Sequence, residues 1–130
     1  VIDYRDWQVP LGRRFRALKL WFVIRHYGVA GLRYHIREHV AWAQEFKGWV
    51  EASEAFEVVV PADLNLICFR YKGSDEENEA LLNRLNGSGR IYLTHTKIND
   101  QYVLRFCVGA TLTERRHVEE AWRLIQEAAV

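Results

Sequence analysis

Leu64-Asn65-Leu66-Ile67-Cys68-Phe69-Arg70-Tyr71-Lys72-Gly73-Ser74-Asp75-Glu76-Glu77 decides the fold. Leu64 to Tyr71 is rich in residues that favour a pleated, half-buried surface and reads as a strand. Gly73 punctuates it. Ser74 followed three positions later by Glu77 is a capping-box signature, and Asp75, Glu76 and Glu77 place negative charge in a helix's first turn. A strand therefore hands over to a helix within three residues. That helix is expected from Asp75 to Leu85, with a left-handed C-cap at Asn86-Gly87.

Working outward, a second strand reads from Phe56 to Val60, joined by the turn Pro61-Ala62-Asp63. Downstream, Arg90 to Thr96 and Tyr102 to Val108 read as strands around a loop containing Asn99-Asp100. A last helix spans Glu114 to Ala128, with Val118, Ala121, Trp122 and Ile125 on one face and Thr111 or Thr113 as its cap. Ahead of the strands, Leu32 to Glu51 carries a helical stripe of Leu32, Ile36, Val40, Ala43 and Val50. Some twenty residues at 1.5 Å rise give roughly 30 Å, enough to cover a whole sheet. The order predicts an α/β chain of α+β type: a small antiparallel or mixed sheet covered by helices on one face.

The front of the chain reads differently. Asp3 to Gly12 is irregular, punctuated by Pro10 and Gly12. From Arg14 the pattern turns helical, yet Phe15, Leu18, Trp21, Phe22 and Ile24 cover every side until Gly28 and Gly31 break it. A helix apolar all round belongs inside a core, and 130 residues offer little to surround it, so it is expected to pack against protein beyond this chain. The first residue is Val1 rather than Met, which reads as part of something longer.

Composition sets the class. With 49% apolar and 27% charged residues, disorder and collagen-like repetition are excluded. The longest apolar run, Leu20 to Ile24, is far short of a membrane span. Cys68 and Cys107 are too few for a disulfide framework and read as buried, reduced thiols of a cytosolic protein. Net charge is +1, but residues 1–50 hold nine Lys/Arg against four Asp/Glu, and residues 51–130 hold nine against thirteen. Basic residues interleave with large apolar ones (Arg33-Tyr34, Arg70-Tyr71), as half-buried elements do, so nucleic acid is not the expected partner.

His35-Ile36-Arg37-Glu38-His39 matches the H-x-x-E-H zinc pattern, with both imidazoles on one helical face. Zinc peptidases with that pattern are much longer and need a further downstream carboxylate ligand, so the residues read instead as histidines flanking the apolar stripe; no metal is expected. His95 and His117 have no partner at ligand or nucleophile spacing. Arg13, Arg14 and Arg16 crowd a helix start, where the dipole disfavours cations. Behind Trp7, Pro10, Leu11 and Gly12, they suit either a bound carboxylate or phosphate, or an ion-pair network to an adjoining domain.

Those residues also carry a family resemblance. Asp3-Tyr4-Arg5-Asp6-Trp7-Gln8-Val9-Pro10-Leu11-Gly12-Arg13-Arg14-Phe15-Arg16 resembles the start of the C-terminal region of the aromatic L-amino acid decarboxylases, the group II pyridoxal-phosphate enzymes. Tyr27-Gly28-Val29, Cys68-Phe69-Arg70, Leu81-Leu82, Val103-Leu104-Arg105-Phe106 and His117-Val118 continue it in order. The resemblance implies a cytoplasmic, fold-type I homodimer. Residues 1–27 would end the large cofactor domain, and 28–130 would form the C-terminal small domain. It implies pyridoxal 5'-phosphate bound mainly by the N-terminal remainder of the enzyme, because Lys19, Lys47, Lys72 and Lys97 match no Schiff-base context. It implies that Leu11 and Gly12 line the aromatic amino acid pocket of the neighbouring subunit, and that Arg5 positions a mobile loop. The fragment alone would not be catalytic. An aromatic aldehyde synthase of the same family, or an independent α+β binding module, are the other readings.

Overall fold

The computed structural model describes residues 14–129. The chain divides into two compact units, Val1–Tyr34 and His35–Val130. A long helix, α1 (Arg16–Glu51), runs through both, but Gly28 inside it is non-helical at φ 64° and ψ 172°. Positive φ is where glycine alone is unstrained, so the break falls there. Gly31 stays helical, and the expected second break is absent.

In the first unit, the helix surface is apolar and exposed. Phe15, Leu20, Trp21 and Phe22 are each more than half exposed, and Trp21 meets the edge of Phe22 at 5.1 Å while Arg25 lies over its ring at 5.8 Å. Among the described residues of this unit, the apolar front helix stays exposed.

The second unit holds a four-stranded antiparallel sheet in the order β1-β2-β4-β3. Its strands are β1 (Phe56–Val58), β2 (Leu66–Tyr71), β3 (Thr94–Ile98) and β4 (Gln101–Cys107), with helices α2 (Asp75–Gly87) and α3 (Arg115–Ala128). Ile67 pairs with Phe106 and Phe69 with Leu104 across the centre. Alternation puts these four on one face, where the helices pack. Phe46 of α1 is the keystone: it stacks on Phe106 at 4.0 Å and meets Phe69 and Trp122 edge-on at 5.4 and 5.6 Å. The expected stripe is corrected here. Ile36 is exposed, and the buried face is Ala43, Phe46 and Val50. Counting in fours from Leu32 skips Phe46; alternating three and four from Ala43 finds it.

Two asparagines of α2 organise the sheet's ends. Asn78, fully buried, receives the Tyr71 N–H on Oδ1 at 2.8 Å and donates from Nδ2 to the Tyr71 and Ser74 carbonyls at 3.0 and 2.9 Å. Two turns on, Asn86 repeats the device on Leu93, accepting its N–H at 2.8 Å and donating to its carbonyl at 3.0 Å. Each side chain imitates the neighbouring strand that the backbone lacks. The capping box forms as read, with Ser74 N–H donating to Glu77 Oε2 at 2.6 Å and Glu77 N–H to Ser74 Oγ at 3.3 Å.

Several boundaries shift from expectation: β1 ends at Val58 instead of Val60, β2 starts at Leu66 instead of Leu64, and β4 runs Gln101–Cys107 instead of Tyr102–Val108. Helix α2 continues through Gly87; Ser88 is its C-cap and Gly89, at φ 68°, is the left-handed residue. Strand β3 starts at Thr94 instead of Arg90, because the Asn86 clamp holds Leu93 away from the ladder. The cap of α3 is Glu114, whose N–H donates to His117 Nδ1 at 3.0 Å, while the Thr113 hydroxyl donates back to the Gly109 carbonyl. The Asn99-Asp100 loop is a two-residue turn with φ of 51° and 62° closing Ile98 onto Gln101, the type I′ geometry that suits strand twist. Cys68 is buried as expected, but Cys107, at the strand's end, is exposed. No helix among the described residues is long and apolar enough to cross a membrane.

Candidate functional site

Arg5, Leu11 and Gly12, the residues expected at the substrate pocket and loop, lie outside the described residues, as does Arg13. Arg14 and Arg16 are exposed at the start of α1. His35 and His39 do share a helical face, their ring centres 6.1 Å apart and tilted by 37°, with His39 5.7 Å from Trp42. No group of three or more His, Cys, Asp or Glu able to hold a metal occurs among the described residues. His95 stacks on Tyr102 at 4.6 Å across the hairpin.

The best-formed concavity was not foreseen from sequence. A cleft of about 350 Å³ opens between residues 90–94, the end of β4 and α3. Its floor is Leu93, Phe106, Val118 and Leu124; Arg90, Arg105, Cys107 and His117 stand around it. It exists because Asn86 draws Leu93 off the ladder, an effect of tertiary contact between residues that neither strand's pattern discloses. On its rim Arg90 pairs with Glu120, which Arg123 also reaches at 2.8 Å. The Arg123 hydrogen bond holds the Glu120 carboxyl below the usual carboxylate range, and the Glu120 and Glu127 carboxylates hold the Arg123 guanidinium firmly protonated. Arg105 has no carboxylate within ion-pair reach among the described residues. Opposite it on β2, burial pushes the Cys68 thiol up, and the Arg105 charge pulls it partly back.

Residues 1–72 match the model of the pyridoxal-dependent decarboxylase conserved domain. The chain belongs to the pyridoxal-dependent decarboxylase family. Within it, the chain is 52% identical to tryptophan decarboxylase TDC1 of Camptotheca acuminata over 99% of its own length and 27% of that protein. It is 48% identical to phenylacetaldehyde synthase of a Rosa hybrid cultivar, covering 28% of it. The crystal structure of Oryza sativa TDC with PLP and tryptamine superposes with a TM-score of 0.87 at 46% identity, over 98% of this chain and 29% of that one. The chain thus spans little more than a quarter of the decarboxylase relatives it matches.

The described residues do not by themselves fit the family's pyridoxal phosphate. None of the four lysines lines the cleft: Lys72 donates to the Glu54 carbonyl at 3.1 Å, and Lys47 lies 3.9 Å from Glu51. No lysine pairs with an aspartate among the described residues.

Proposed function

We propose that these residues form the C-terminal part of a pyridoxal-phosphate-dependent aromatic L-amino acid decarboxylase, a carboxy-lyase releasing CO₂ and an arylalkylamine. The observation that carries this is the alignment: 99% of the chain falls within about a quarter of a tryptophan decarboxylase at 52% identity. In this reading residues 1–27 close the large domain and 28–130 are the small domain of a cytoplasmic homodimer. Leu11 and Gly12 contact the aromatic substrate bound in the neighbouring subunit, and Arg5 positions the mobile loop. The exposed apolar helix from Phe15 to Ile24 is the surface on which the N-terminal remainder sits, and the cofactor chemistry is supplied from there. That face explains what an independent binding module leaves unexplained, since a free-standing domain seldom exposes so large an apolar patch.

The likeness to phenylacetaldehyde synthase favours a second reading, an aromatic aldehyde synthase that consumes oxygen. The full-length enzyme, supplied with pyridoxal phosphate and tryptophan, tyrosine or phenylalanine, distinguishes them. Amine formed without oxygen uptake supports the decarboxylase; aldehyde with stoichiometric oxygen uptake supports the synthase; neither product from any of the three refutes both. The 130 residues expressed alone test the module reading, which requires a well-behaved monomer.

A further inference from the structure

The end of β4 carries an unused strand edge. Val108 N–H donates to the Asn65 carbonyl at 2.9 Å, and the Val108 carbonyl accepts from Asn65 Nδ2 at 2.7 Å, so the main chain at Val108 faces β2. Main-chain groups alternate sides along a strand, so those of Arg105 and Cys107 face β3. Arg105 has a partner there, Thr94, where the β3 ladder ends. Continued by two residues, the register would set Tyr92 against Cys107. Instead Leu93 is held by Asn86, and Tyr92 is 80% exposed. The Cys107 N–H and C=O are left pointing into the 350 Å³ cleft with no backbone partner among the described residues. Of the charged groups that line it, Arg90 and Glu120 pair with each other, which leaves Arg105. His117 accepts the Glu114 N–H on Nδ1, and the Arg105 guanidinium has no carboxylate within ion-pair reach among the described residues.

We infer that this cleft receives an extended, carboxylate-bearing segment of the same polypeptide, contributed by the part of the enzyme outside these 130 residues. It would add as a short strand on Cys107, with an acidic side chain on the face of the sheet that carries Arg105. The inference rests on the decarboxylase reading, since relatives are more than three times as long as this chain and that length supplies the occupant. A spaced donor–acceptor pair on a strand edge above an apolar floor matches a peptide backbone, and the Arg105 guanidinium matches a carboxylate.

Amide hydrogen exchange on the ligand-free full-length holoenzyme tests it, at two protein concentrations tenfold apart. The Cys107 amide should exchange about a hundredfold or more slower than an unstructured amide at both concentrations, while the Tyr92 amide stays fast. Arg105→Gln should speed Cys107 exchange at least about tenfold without changing that of Leu104. Fast exchange at Cys107 in the wild type overturns the proposal by showing the cleft open. Protection shared equally by Tyr92 overturns it by showing β3 zipped onto β4. Protection that grows with concentration assigns the occupant to a second copy, and protection that needs an added small carboxylate assigns it to a ligand; both overturn it. Amine formation by the same sample reports separately on the decarboxylase reading.

Discussion

Asn78 is the residue whose loss should be felt most for its size. It satisfies both main-chain groups of Tyr71 from a fully buried position, so Asn78→Ala strands a buried donor and acceptor together. Urea unfolding should register about 2–4 kcal/mol, against less than about 1 kcal/mol for a surface polar-to-alanine change. Gly73 is fixed by space: a Cβ there would meet the Tyr71 ring at 2.7 Å and the Glu77 carboxylate that closes the capping box. The two thiols diverge in chemistry. In the 130-residue chain iodoacetamide should modify exposed Cys107 under native conditions, and Cys68 on unfolding alone. Because burial raises the folded Cys68 thiol above its unfolded value, its contribution is complete below the unfolded value and is lost as pH rises through the folded one. Alkaline melting curves of Cys68→Ala should therefore lack part of the wild-type decline. Gly73 and Ser74 were legible as punctuation, since local chemistry acts through the chain itself. The clamps by Asn78 and Asn86 were not, because an asparagine in a helix gives no hint of which distant carbonyl it answers.

At the level of elements, α3 depends on a cap that no Thr supplies. His117→Ala removes the acceptor for Glu114 N–H and should cost about 1 kcal/mol in thermal or urea unfolding, whereas Thr111→Ala should cost little. The ion pairs along α3 tie it to its neighbours: Arg115 reaches Glu45 of α1 at 2.7 Å, and Arg90 reaches Glu120. Glu120 titrates below the ordinary carboxylate range, so its contribution is present above the unfolded value and fades as pH falls through the lower folded one. A pH series of melting temperatures on Glu120→Gln should be flatter than wild type on the acid side; an unchanged slope would show the pairs to be ornamental. The element types and their order followed from periodicity and turn residues. The start of β3 did not, since Asn86 of α2 sets it; nor did the C-cap of α2 and the N-cap of α3, which Ser88 and His117 supply.

For the molecule as a whole, the apolar front helix and the compact sheet unit make opposite demands. Phe46→Ala should cost about 3–5 kcal/mol, since it opens a cavity where the rings of Phe69, Phe106 and Trp122 converge. Replacing Leu18 and Trp21 by serine should instead raise the soluble yield of the isolated 130 residues, while lowering assembly and bound cofactor in the full-length enzyme. Equal solubility of variant and parent would refute that role for the helix. The sequence alone determined the element order, the one-sided packing of a small sheet, antiparallel or mixed, and the misfit of its front helix, because hydrophobic periodicity is written residue by residue. It also disclosed the family, through a long run of matched residues. Tertiary structure alone decided that Phe46 centres the core, that the cleft beside β4 exists and that Cys107 is exposed. Those depend on which distant groups meet in space, and a local pattern carries no record of such meetings.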